Sequence, residues 1–240
     1  GAYGHPRGFV PKMADYFRRC GMNKDDEAIL DRIGLDLEPE LVGSWVAVQG
    51  GKVTTGWHFW DEHDWVRLSP LFGDHHAKGL LETWIADCGV TKFQRFTQGI
   101  GEQSFSEVEL VVPGVAIDDQ LESLAAAFQR FTGMPLPAHV PEAFSAALTP
   151  GFAIAVRIAG GGIVRVSAVS PSLGADVIAS LCNGAGVGYS PKLNNVMNAL
   201  SAEAFERVEY GVSAAGGPPQ VDVFVVPTEA QRRPQRPAAN

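Results

Sequence analysis

The sequence predicts an α+β protein with an antiparallel sheet, closed into a barrel with its helices outside, built as (αββ) repeated four times. Three observations lead there. The chain resembles itself at a spacing of about 112 residues. Glycine-centred hairpins recur along it, and a segment with helical periodicity precedes each hairpin. Two fused ferredoxin-like halves are the alternative architecture for the same order of elements.

The self-similarity rests on short matches in register. Tyr16-Phe-Arg-Arg-Cys-Gly-Met22 resembles Phe128-Gln-Arg-Phe-Thr-Gly-Met134, and Phe93, Arg95 and Gly99 map onto Phe205, Arg207 and Gly211. Gly50-Gly51-Lys52-Val53 corresponds to Gly161-Gly162-Ile163-Val164. Val108-Glu-Leu-Val-Val-Pro113 resembles Val221-Asp-Val-Phe-Val-Val-Pro227 after a two-residue insertion. The expectation is one domain over 1–227, with pseudo-repeats at about 11–112 and 117–227. The Pro-, Arg- and Gln-rich stretch 228–240 is expected to be disordered.

Taken in order, helices are predicted at 11–20 and 24–35, then a hairpin at 45–49 with 53–60. Residues 74–88 set Ala77, Leu80, Leu81, Trp84, Ile85 and Cys88 on one stripe, with Asp74 as the N-cap. A hairpin at 92–99 with 107–112 closes the first copy. In the second copy, Leu121, Leu124, Ala125 and Phe128 mark a half-buried helix over 117–131, and 141–148 continues it. Hairpins follow at 153–158 with 163–169 and at 204–212 with 221–226. Between them Gly184-Ala-Gly-Val-Gly188 breaks a helix, and Ser190-Pro191 restarts one.

Composition narrows the function classes. A net charge of −8 argues against nucleic acid and anionic membrane as partners. No apolar run reaches the ~18 residues of a membrane span. Gly1-Ala2-Tyr3-Gly4-His5 has no basic-then-apolar leader pattern. Cys20, Cys88 and Cys182 are scattered and odd in number, which suits reduced thiols and a cytoplasmic location.

Three groups of residues could carry chemistry. Arg95, Arg157, Arg165 and Arg207 stand on predicted strands, where converging guanidiniums would hold a phosphate or carboxylate. Arg157 and Arg165 share a hairpin and are expected to face one cavity. Four of six histidines, His58, His63, His75 and His76, fall among Asp61, Glu62, Asp64 and Asp74. They could act as acid and base or hold a divalent metal, His63, His75 and His76 being the metal candidates, although no HExxH or facial-triad spacing occurs. Asp61–Pro70 has no counterpart in the second copy and reads as an inserted loop. Aromatics such as Trp57 and Tyr210 could stack a planar substrate or simply pack a core. Gly184-x-Gly-x-Gly188 follows a helix and lacks Walker spacing, so it reads as a break.

The (αββ) order resembles the prenyltransferase-barrel (ABBA) family of aromatic and indole prenyltransferases. Phe205-Glu-Arg-Val-Glu-Tyr-Gly211, Gly217-Pro-Pro and Val221-Asp-Val-Phe-Val-Val-Pro227 look similar to that family's closing hairpin. The resemblance implies a lumen that takes an aromatic small molecule and a diphosphate held by strand cations. Where the family sets Lys, Arg or Tyr, this chain reads Glu109, Arg165 and Asp222. Carried over, Arg95, Arg157, Arg165 and Arg207 would hold the leaving group, Trp57 and Tyr210 would line the acceptor site, and His58, Glu109 or Asp222 would take a proton. A non-catalytic binding protein of the same fold, and a metal-dependent or acid–base lyase or cyclase using the His58–His76 cluster, are the competing readings.

Overall fold

A computed structural model describes residues 2–4, 6–32, 42–49, 52–72, 75–100, 104–147, 149–199 and 205–224. The disorder expected at 228–240, the first turn at Gly50-Gly51 and the Asp74 cap lie outside these residues. The elements run β1 (Ala2–Gly4), α1 (Pro6–Arg19), α2 (Lys24–Arg32), β2 (Val42–Gln49), β3 (Lys52–Asp64), α3 (Trp65–Leu68), α4 (His76–Cys88), β4 (Lys92–Ile100) and β5 (Phe105–Val111). They continue as α5 (Ile117–Thr132), α6 (His139–Phe144), β6 (Ala153–Ala159), β7 (Gly162–Leu173), α7 (Ala175–Gly184), α8 (Lys192–Ala199), β8 (Phe205–Ser213) and β9 (Gln220–Phe224). Each strand is hydrogen-bonded to its neighbours in the chain, from β1 through β9. Ferredoxin-like halves would need crossovers between non-consecutive strands, and this order has none. The short strand β1, paired antiparallel with β2, had no signal in the sequence.

The chain divides into two compact units, Gly1–Pro113 with Ile154–Val166, and Gly114–Ala153 with Ser167–Asn240. In the first, α2 begins at an Asn23 cap whose Oδ1 accepts from Asp26 N at 2.8 Å. Asp25, Asp26 and Glu27 follow in its first turn, where the helix dipole favours acids. The apolar stripe of α4 buries Ala77, Leu81, Trp84 and Ile85, as the periodicity requires. Its N-cap is His75, whose Nδ1 accepts from Lys78 N at 3.1 Å. Imidazole thus fills the role that the sequence assigns to Asp74. The expected insertion at Asp61–Pro70 is not a plain surface loop: β3 extends to Asp64, and α3 then buries Trp65 and Leu68. Apolar residues at both ends of that short helix explain why it docks.

In the second unit, α5 buries Leu121, Leu124, Ala127, Phe128 and Phe131, and ends at Gly133 in the left-handed conformation (φ 72°). Gln120 ties this helix to the strand layer. Its Nε2 donates to Gly114 O at 3.0 Å, and its Oε1 accepts from Gly151 N at 2.7 Å and Phe152 N at 3.1 Å. That one amide satisfies two backbone groups where the chain enters β6 and a third at the turn before α5. Phe144 and Phe152 stack with ring centroids 5.8 Å apart, closing the core beside it.

Candidate functional site

The register of β3, β4 and β5 sorts their side chains onto two faces, because directly opposed residues point the same way. Trp57 opposes Gln98, Phe96 opposes Val108, and Gln98 opposes Ser106. This face is the core: Trp57 packs on Phe96 at 5.3 Å and Phe96 meets Phe72 at 5.9 Å. The opposite face carries His58 against Thr97, Thr97 against Glu107, and Arg95 against Glu109.

On that second face the charges form one network. Arg95 Nη2 meets Glu107 Oε1 at 2.8 Å, and Arg95 Nε meets Glu109 Oε2 at 3.2 Å. Glu107 uses its other oxygen for Arg157, with Nε and Nη2 each at 2.8 Å. Gln94 Nε2 donates to Glu109 Oε1 at 2.6 Å. Two guanidiniums and two carboxylates balance, which is the condition for burying charge at all. The side chains of Arg95, Glu107 and Glu109 are at most 7% exposed, whereas Arg157 is 27% exposed and is the member open to a ligand.

Local sequence builds this arrangement. The Phe105 ring lies across Gly99, its cross-strand partner, where a Cβ would sit 2.1 Å from the ring. Only glycine leaves that room. The ring in turn supports Arg157, whose Cζ stands 4.1 Å from its centroid. His58, half-buried on this face, is held down to a pKa of about 4, first by burial and then by the charge of Arg95. It is therefore neutral at physiological pH, able to donate or accept one hydrogen bond.

The second unit holds a smaller set. On β8, Arg207 reaches Glu209 two residues along its own strand, with Nη2–Oε1 at 2.6 Å. Asp222 of β9 opposes Glu209, and Phe224 opposes Arg207 with its ring centroid 5.3 Å from Cζ.

The remaining sequence candidates fall elsewhere. Trp57 is fully buried on the core face, and its Nε1 has no hydrogen-bond partner among the described residues. Tyr210 packs against His139 of α6 at 5.6 Å and Phe128 of α5 at 6.4 Å, and burial raises its hydroxyl pKa. Trp57 thus packs within the strand layer on Phe96, and Tyr210 packs against helices. His63 is buried beside the Phe93 ring, His75 caps α4, and His76 is exposed at the start of that helix. Among the described residues, no three His, Cys, Asp or Glu gather as metal ligands do. Arg165 is half-buried on β7. Gly160 and Gly161, with φ of 57° and 77°, make the two-residue turn before it. Such a turn sets Ala159 opposite Gly162, so an unbulged ladder faces Arg165 away from Arg157. The sequence reading passed over Glu107 and Gln94. The signal for Glu107 was present: Glu107-x-Glu109 alternates on one face of a strand that pairs with Arg95.

No protein-family model matches the chain. A PH domain-containing protein of Dictyostelium discoideum is 23% identical over 181 residues, which cover 72% of this chain and 40% of that protein. Among solved structures, 5-dimethylallyltryptophan synthase from Streptomyces coelicolor superposes with a TM-score of 0.59 at 12% identity. The match covers 93% of this chain and 72% of the synthase. At that identity the likeness is one of fold: the chain shares the mixed α+β architecture of an aromatic prenyltransferase.

Proposed function

We propose that the chain binds an aromatic small molecule on the polar sheet face of Arg95, Glu107, Glu109 and Arg157, and that it transfers a prenyl group to it. The observation that carries this reading is the Arg95–Glu107–Arg157 network, which sets buried cations and carboxylates side by side on strands of a prenyltransferase-like fold. In such a reaction the allylic C–O bond breaks and the diphosphate leaves with the electron pair. An aromatic carbon forms the new bond to the allylic carbon, and its ring proton passes to a base. Arg157, the exposed guanidinium, would meet the diphosphate; Glu109 or His58 would take the proton. That reading takes residues 11–112 and 117–227 as two copies of one unit within a single domain, with Arg207 and Asp222 as the second copy's counterparts of Arg95 and Glu109. The same reading places the protein in the cytoplasm.

A second reading is favoured by a specific feature. Both guanidiniums already bond to Glu107, so a diphosphate must displace a carboxylate that is 2.8 Å away. A protein that binds an aromatic ligand without turnover has no such need. Incubation with dimethylallyl diphosphate and a panel of indoles and phenols, followed by mass spectrometry, separates the two. A prenylated product supports transfer; ligand binding without product supports the second reading, and neither result with any aromatic removes both.

A further inference from the structure

A cleft of about 540 Å³ lies within the first unit, bounded by α2, the start of α4 and the β6–β7 turn. Its walls include Phe72, Phe105, Ile29 and Ile158, and its polar floor is built on Asp26. Asp26 is only 4% exposed. Its Oδ1 accepts from Gln98 Nε2 at 2.8 Å, and its Oδ2 accepts from Ser104 Oγ at 3.0 Å. Ser106 Oγ donates to Gln98 Oε1 at 2.6 Å, which fixes the amide so that its N–H points at the acid. The face involved is the helix-covered one, opposite the face that carries Arg95 and Glu107.

Neutral groups thus supply every side-chain donor to Asp26 among the described residues. Hydrogen bonds from Ser104, Gln98 and the Asn23 backbone N–H satisfy only part of a carboxylate's capacity of about four, and they bring no compensating charge. Burial accordingly raises the Asp26 pKa, with the hydrogen bonds from Ser104, the Asn23 backbone and Gln98 opposing that shift. The cleft has a volume in the range of small-ligand sites, apolar walls and one oriented acid at its floor.

We infer that this cleft is a second binding site, separate from the proposed substrate face, and that it takes an organic ammonium with an apolar or aromatic body. The ammonium would occupy the remaining lone-pair capacity of Asp26, and the body would lie against Phe72, Ile29 and Ile158. Asp25 and Asp26 outnumber Arg32, the cation of the same lining, so the cleft disfavours an anion of the same shape.

Isothermal titration of the full chain with 2-phenylethylamine at neutral pH, beside phenylacetate and 2-phenylethanol, tests the inference. The amine is expected to bind saturably, at least tenfold more tightly than either analogue, and Asp26→Asn is expected to cost at least tenfold in its affinity. Absence of saturable amine binding, equal binding of phenylacetate, or an Asp26→Asn variant within threefold of the wild type would overturn it. A measurement on the wild-type chain guards against a variant that fails to fold. In ¹H–¹⁵N spectra the Gln98 side-chain amide and the Gly161 backbone amide should shift together as amine is added; a saturating titration that moves neither contradicts the site.

Discussion

On β4, Arg95 is held by two carboxylates of the neighbouring strand, while on β8 Arg207 turns to Glu209 on its own strand. The residue types match, and the sequence aligns the two arginines at a spacing of 112. Their surroundings differ. The first pair is closed over by strand neighbours and tied through Glu107 to a second guanidinium. The second is covered on one side by Phe224, which is itself 38% exposed. The difference teaches that where the adjacent strand supplies alternating acids, an arginine is held across the ladder by two carboxylates of its neighbour. β5 has Glu107-x-Glu109, whereas β9 offers Asp222 and then Phe224.

Removing an acid from each pair tests that contrast with the largest expected effect. Glu107→Gln leaves the buried Arg95 and the half-buried Arg157 short of charge and is expected to cost about 3–5 kcal/mol in urea unfolding, the range for breaking a buried pair from one side. Glu209 is itself only 4% exposed and Arg207 13%, so Glu209→Gln also breaks a buried pair, but it leaves one guanidinium short rather than two and Asp222 stands opposite; its loss is expected to be smaller than that of Glu107→Gln. Equal losses would mean that the two pairs are energetically alike and that the contrast is one of appearance.

The sequence carried the elements well because hydrophobic period and turn glycines are local signals. The α4 stripe, the α5 stripe and the Gly160-Gly161 turn all appear within a residue or two of their expected places. Faces were harder to read. Trp57 and His58 are adjacent and go to opposite sides, and only the register with β4 shows that Trp57 joins Phe96 in the core while His58 joins Thr97 and the charges. Tyr210, read as a candidate substrate contact or core residue, packs on α5 and α6. Choosing between those roles needs to know which face the helices cover. Asp26 gave no signal either, since one of three acids in a first helical turn reads as a response to the helix dipole. Its link to Gln98 spans 72 residues and comes only with the fold.

His58 sharpens the comparison by pH. A histidine held at about 4 in the folded state, against 6.5 in its unperturbed state, binds fewer protons folded than unfolded between those values. Its contribution to stability is therefore present above pH 6.5 and is lost as pH falls through the window to about 4. At about 1.4 kcal/mol per tenfold change in proton affinity, the loss is bounded at about 3.5 kcal/mol. Denaturant unfolding between pH 7 and 4 should show it, and His58→Gln should remove that component. An unchanged pH profile in the variant would place the histidine in water rather than against Arg95.

Anion binding at Arg157 tests the central claim most directly. Calorimetric titration of the wild-type chain with inorganic diphosphate should give saturable binding accompanied by a rise in melting temperature, because a ligand stabilises the state that it binds. Arg157→Ala should weaken that binding by about 1.5–3 kcal/mol, the range for hydrogen bonds to charged groups, with the fold intact. The account predicts that Arg207→Ala changes the affinity less than Arg157→Ala does. Failure of the wild type to bind diphosphate, or an Arg157→Ala variant that binds it as tightly, would contradict the assignment of the Arg95–Glu107–Arg157 face as an anion site.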